Sequence, residues 1–219
     1  MHIKIDIKIF AFTLLFIITS QIQIYVLLMI FAMLHEIGHL LAGLFLKLKP
    51  KNIELNPFGL AITFEGIGNK FTKNIIKKRI LIALAGPLVN FLFIILAIIL
   101  PEGELKLNII YTNVVLMLVN LFPIYPLDGG RILKNLLHMR YGYFISCKII
   151  NKVSNIMIIG LIILSSILIF YFKNIAILFI IFYLIILTIQ ENYRFKIIEK
   201  AYEQINMQNN NIVLEKLPL

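Results

Sequence analysis

The stretch Ile30-Phe31-Ala32-Met33-Leu34-His35-Glu36-Ile37-Gly38-His39-Leu40-Leu41-Ala42-Gly43 decides how this chain is read. Residues four apart on a helix project from nearly the same face, about one turn apart. His35 and His39 therefore offer two imidazole nitrogens to one metal ion. Glu36 leaves the helix in the neighbouring direction and reaches a water beside that ion without being a ligand. A lone histidine would read as a polar helix-packing contact. Two histidines at this spacing around a glutamate favour a metal.

Around this cluster the sequence is membrane-like. From Ile9 to Leu46 the only groups that titrate at or below neutral pH are His35, Glu36 and His39. About 20 residues cross a bilayer core, so this run predicts two helices folded as a hairpin. Ser20-Gln21-Ile22-Gln23 is the expected turn, and Ile24 to Leu46 is the helix that carries the histidines. Lys4 and Lys8 before an apolar run suggest a signal peptide, but no small-x-small cleavage site follows, and a retained helix is expected.

Composition agrees. Of 219 residues, 60% are hydrophobic and 15% charged, with a mean hydropathy of +0.93. A soluble domain carries roughly 45–50% apolar and about 25% charged residues. The net charge of +10 reads as basic loops that fix topology against the cytoplasmic side, not as a nucleic-acid surface. The single cysteine, Cys147, excludes an internal disulfide and a multi-cysteine metal site.

Residues 47–79 hold eight basic residues against Glu54 and Glu65, which places them in the cytoplasm. Within them, Ile53 to Glu65 is too apolar for a solvated loop. Asn56-Pro57-Phe58-Gly59 signals a turn, and Ile62 and Phe64 alternate with polar residues. A β-hairpin or re-entrant segment against the bundle is predicted. Ile80–Leu100 and Leu107–Phe122 are the third and fourth spans, joined by a short acidic outer link. Two prolines and two glycines in Pro123 to Gly130 end the regular helix. Residues 131–152 are basic and inside. Val153–Tyr171 and Ile175–Ile189 form a last hairpin with Lys173-Asn174 as its turn. From Glu191 a short amphipathic helix ends at Asn209-Asn210-Asn211. The expectation is an all-α polytopic membrane protein with six spans and both termini in the cytoplasm. Residues 1–190 form the core, and 191–219 form a short cytoplasmic tail.

Among eleven acidic residues only Glu36 lies inside an apolar span. Such a charge is costly in lipid and marks a cavity or a functional site. The H-E-x-x-H spacing is that of zinc hydrolases. A catalytic zinc takes three protein ligands plus water. Glu65, Asp128 and His138 are open as the third ligand, with Asp128 best placed: the segment after Phe122 lies at the inner end of the bundle and can fold back towards the histidines. A plain cytoplasmic turn is the alternative for Asp128-Gly129-Gly130. A substrate helix must unwind before attack, and Asn56-Pro57-Phe58-Gly59 and Asn120 are placed to accept the opened strand. Their plainer roles are a turn and a helix–helix contact.

Taken in order, His35-Glu36-Ile37-Gly38-His39, Asn56-Pro57-Phe58-Gly59, Ala85-Gly86-Pro87-Leu88-Val89-Asn90 and the segment from Asn120 through Asp128 to Arg131 resemble the site-2 protease family of intramembrane zinc metalloproteases. The resemblance spans roughly residues 8–190. It implies one zinc per chain on His35, His39 and Asp128, with Glu36 catalytic and Asn120 near the substrate or oxyanion. The compact layout is similar to the stage IV sporulation protein FB subgroup. That subgroup cleaves a sigma-factor precursor in bacterial membranes and is held in check by membrane-bound partners. No cystathionine-β-synthase-type nucleotide-binding sequence follows residue 190, so nucleotide control is not carried over. A general protease clearing anti-sigma factors or signal-peptide remnants is the second enzyme expectation. A non-catalytic membrane metal-binding protein is the expectation from another class.

Overall fold

A computed structural model describes residues 2–5, 8–20, 22–56, 59–64, 73–172 and 176–215. Among them the order is β1 (His2–Ile5), α1 (Lys8–Ile18), α2 (Ile22–Phe45), β2 (Pro50–Asn56), β3 (Gly59–Phe64), α3 (Lys73–Ile98), α4 (Glu104–Leu121), α5 (Asp128–Tyr141), α6 (Tyr143–Phe172) and α7 (Ala176–Glu215).

Four stretches among the described residues are long and apolar enough to cross a bilayer: Tyr25–Phe45, Lys73–Ile98, Glu104–Leu121 and Tyr143–Ile163. The chain is a multi-pass membrane protein. Apolar side chains such as Phe45, Ile99 and Tyr111 point outwards, as they do where lipid replaces water. The second to fifth of the six expected spans fall on α2, α3, α4 and α6. The first falls on α1, which has only 11 residues, well short of the roughly 20 a bilayer core requires. The sixth falls on the start of α7. That helix has no break near residue 190 and runs through Asn209-Asn210-Asn211 to Glu215, so the asparagines do not end it. The expected Lys173-Asn174 turn lies outside the described residues.

Aromatic contacts tie the helices together. Phe16 of α1 stacks on Tyr25 of α2 at 4.6 Å. Phe31 of α2 meets Phe93 of α3 edge-on at 5.3 Å, beside buried Ala32 and Leu116. Asn90 of α3 and Asn113 of α4 are fully buried.

The hairpin expected after α2 is present as β2 and β3, antiparallel, with Asn56 paired to Gly59 at its end. Pro57 and Phe58 lie outside the described residues. Gly43 of α2 sits directly under the ring of Phe64, which would strike any Cβ there. A third strand was not expected: β1 pairs parallel to β2, with His2 opposite Asn52 and Ile5 opposite Leu55. His2-Ile3-Lys4-Ile5 has the two-residue alternation of a strand, but Lys4 reads more readily as a topology-setting charge.

The junction between α4 and α5 positions the site. Phe122 to Leu127 is irregular, with Ile124 fully buried and a cis Tyr125–Pro126 bond. The prolines do end a helix here, but the glycines do not. Gly129 and Gly130 lie in the first turn of α5. A Cβ on Gly130 would stand 2.5 Å from the backbone of Ile124 and Tyr125, and one on Gly129 would strike the carbonyl of Leu121. The two glycines let α5 press onto the loop that precedes it. From α6, Ser154 Oγ accepts the Tyr125 N–H at 2.9 Å.

Candidate metal centre

Local helix geometry accounts for the first two ligands. His35 and His39 stand one turn apart on α2, both buried, with ring centroids 4.8 Å apart and planes at 88°. The third comes from far along the chain. Asp128 opens α5, where an acidic residue suits the positive end of the helix dipole, and it too is buried. Asp128 Oδ2 lies 2.9 Å from His35 Nε2 and 3.0 Å from His39 Nε2. The two Nε2 atoms are 3.2 Å apart. On the other carboxylate oxygen, Asp128 Oδ1, Arg131 Nη1 approaches to 3.7 Å. Burial alone would raise the Asp128 pKa, but the contacts with His35 and His39 outweigh it and hold the carboxyl well below its usual range.

These residues fit a zinc ion. His39 Nδ1–H donates to the Ile82 carbonyl of α3 at 2.6 Å. In the neutral ring this leaves the lone pair on Nε2, the atom aimed at Asp128 and His35. A lone pair this close to a carboxylate is stabilised by a positive charge between the two, a role that a metal ion fills. Ligand atoms about 2.0–2.2 Å from a tetrahedral zinc stand roughly 3.3–3.6 Å apart, so the trio, at 2.9, 3.0 and 3.2 Å, needs to open only slightly to hold the ion. An outer hydrogen bond from a ligating histidine to a carbonyl is the usual support for such a ring. Among the described residues His35, His39 and Asp128 are the one His/Cys/Asp/Glu group with this convergence.

The other expected site residues are placed differently. Glu36 is outside the trio but lies in the electrostatic field of His35, His39, Asp128 and Arg131. His138 sits near the end of α5, its ring against Tyr143 at 5.5 Å, and does not join the ligands. Glu65 lies outside the described residues. Asn120 is in the last turn of α4, where its Nδ2 donates to the Leu116 carbonyl of its own helix at 3.0 Å. Asn56 and Gly59 close the described part of the hairpin.

The Peptidase family M50 profile matches residues 23–102 and 104–164, most of the chain. The chain belongs to peptidase family M50. Its match to a zinc metalloprotease of Methanocaldococcus jannaschii is 34% identical over 134 residues, covering 58% of this chain and 38% of that protein. Its match to stage IV sporulation protein FB of Bacillus subtilis is 30% identical over 122 residues, covering 53% of this chain and 41% of the other. The chain thus spans about two fifths of the length of these curated relatives. The solved structure of a site-2 protease from Methanocaldococcus jannaschii superposes with a TM-score of 0.66 at 25% identity, over 86% of this chain and 89% of that one.

Three contacts at and beside this M50 site are not assigned by the sequence. The Ile82 acceptor is main chain and has no residue-type signature. Arg131 follows Asp128 by three residues, but its approach to Oδ1 depends on α5 starting at Asp128. Ser154 is one of several serines and threonines in apolar helices. Only its contact with Tyr125 distinguishes it.

Proposed function

We propose that this M50 protein is an intramembrane zinc metalloendopeptidase that hydrolyses a peptide bond of a membrane-associated protein. The observation that carries this reading is the buried convergence of His35, His39 and Asp128, with both histidines on α2, a helix apolar enough to cross a bilayer. Zinc at such a site supplies Lewis acidity, making water nucleophilic at neutral pH and polarising a carbonyl. Glu36 takes the proton of the attacking water and returns it to the leaving amine. Ile82 holds the His39 ring in the tautomer that keeps Nε2 free for the ion. Arg131 neutralises part of the Asp128 charge on the side away from the histidines.

The substrate strand is assigned to the sheet. β3 is an outer strand of the order β1-β2-β3 and packs beside α2 through Phe64 and Gly43. A helix unwound for cleavage can add to such an edge as a further strand, and Asn56, Pro57, Phe58, Gly59 and Asn120 are the residues we propose for substrate contact. Basic residues between α2 and α3 and along α5 support a cytoplasmic position for both termini and for the cut. The 30% match to stage IV sporulation protein FB of Bacillus subtilis supports a bacterial membrane and a sporulation role, and the resemblance to that subgroup leads us to propose a sporulation sigma-factor precursor as the substrate and membrane-bound regulatory proteins as partners.

The test is co-expression with a sporulation sigma-factor precursor, following its size on a gel. Shortening by the wild type and not by Glu36→Gln is the expected result. Equal shortening by both forms would refute Glu36 as the base. No shortening by either would refute the sporulation substrate.

A further inference from the structure

α3 supplies none of the three metal ligands, yet its backbone forms one wall of the site. One turn after Ile82, on the same face of α3, stands Gly86, which is buried. A Cβ built on Gly86 would lie within 2.5 Å of the Nε2 atoms of both His35 and His39, and 2.6 Å from His39 Cε1. No real side chain tolerates such distances. These two nitrogens are the ring atoms that converge with Asp128 Oδ2. The His39 ring cannot swing clear without losing its bond to Ile82. α2 and α3 are in close contact along this stretch, since at Gly38 a Cβ would stand 2.6 Å from Val89 Cγ2 and 3.0 Å from the Ala85 carbonyl, and a retreat of α3 would give up that packing. The helices meet at nearly their closest approach, and the room in front of the imidazoles exists because residue 86 has no side chain.

We propose that Gly86 is a positioning residue of the metal centre, whose missing side chain keeps clear the space that the His35 and His39 nitrogens and the zinc ion share. Two faces of one short segment then act together. Ile82 fixes a ligand ring by its carbonyl, and Gly86 leaves the ion its volume.

The experiment uses the full chain purified in detergent, stripped with a chelator and titrated with zinc alone against a competing chelator. Gly86→Ala is expected to lose about 100-fold in zinc affinity, the upper end of what a change just outside the ligand shell costs. Zinc affinity within about threefold of wild type would overturn the proposal. A second comparison keeps the test decisive if Gly86→Ala folds poorly. Its thermal destabilisation is measured again in a His35→Ala/His39→Ala background, as a double-mutant cycle. If the methyl acts through the imidazoles, most of the destabilisation disappears there. If it persists undiminished, Gly86 serves helix packing alone and the proposal fails.

Discussion

His39 and Ile82 are joined across two helices: the ring Nδ1–H on α2 donates to a main-chain carbonyl on α3 at 2.6 Å. The geometry of one ligand therefore depends on how α2 and α3 are packed as well as on α2 itself. By contrast, His35 Nδ1 is buried with no hydrogen-bond partner among the described residues. The two histidines of one motif are thus held by different means, one by an outer acceptor and one by the fit of its surroundings.

Removal of a ligand is expected to empty the site. His35→Phe and Asp128→Asn should each purify with well under one zinc per chain and show no cleavage of a membrane substrate. Metal analysis of detergent-purified protein checks this. Full zinc in Asp128→Asn would exclude the carboxylate as a ligand.

Glu36→Gln separates binding from chemistry. The amide keeps the size of the side chain but cannot accept the proton of the water. Cleavage should fall by about 10²–10⁴-fold, the usual worth of a positioned acid–base group, while zinc content stays at the wild-type level. In a metal carrier the same substitution would spare metal transport.

How much of this was readable beforehand depended on range. His35, Glu36 and His39 were readable because their relation is set within one helical turn. Asp128 is 93 residues from His35. Topology ranks it ahead of Glu65 and His138 because its segment can fold back towards the histidines, and its resemblance to a family motif strengthens that ranking. The strand β1 was missed because four residues cannot declare a partner 50 positions away. The role of the Gly129-Gly130 pair was misread for a related reason. Glycine breaks a helix in isolation, but here it permits a close approach, and what it approaches is visible only in three dimensions.

Glycines against backbone and against side chain should respond differently to a methyl group. At Gly130 the neighbours are main-chain atoms of Ile124 and Tyr125, and at Gly43 they are the far end of the Phe64 ring. A ring can turn aside, whereas a backbone clash forces α5 and its ligand to move. Gly130→Ala is expected to cost about 1–3 kcal/mol, typical of overpacking, and to lower zinc affinity. Gly43→Ala should be milder on both counts. Thermal unfolding and zinc titration of the pair check the order, and a larger effect at Gly43 would contradict it.

Ser154→Ala removes the acceptor of the Tyr125 N–H. An unsatisfied amide in this part-buried loop costs about 1–3 kcal/mol. The loop leads directly into Asp128, so stability should fall first and zinc affinity with it. Ser154→Thr, which retains a hydroxyl, is expected to recover much of both. Equal behaviour of the two variants would show that the hydroxyl is not the operative group.

The short parallel pairing of β1 with β2 has a consequence for the path of the chain. A sheet cannot keep one strand on each side of a bilayer, because no lipid can lie between hydrogen-bonded neighbours. His2 pairs with Asn52 and Ile5 with Leu55, so everything between them is a closed excursion that returns to the compartment it left. Whatever depth α1 reaches, the start of the chain and the segment after α2 share one aqueous side. The metal ligands of α2 are thus carried on a loop of chain whose two ends are fastened together.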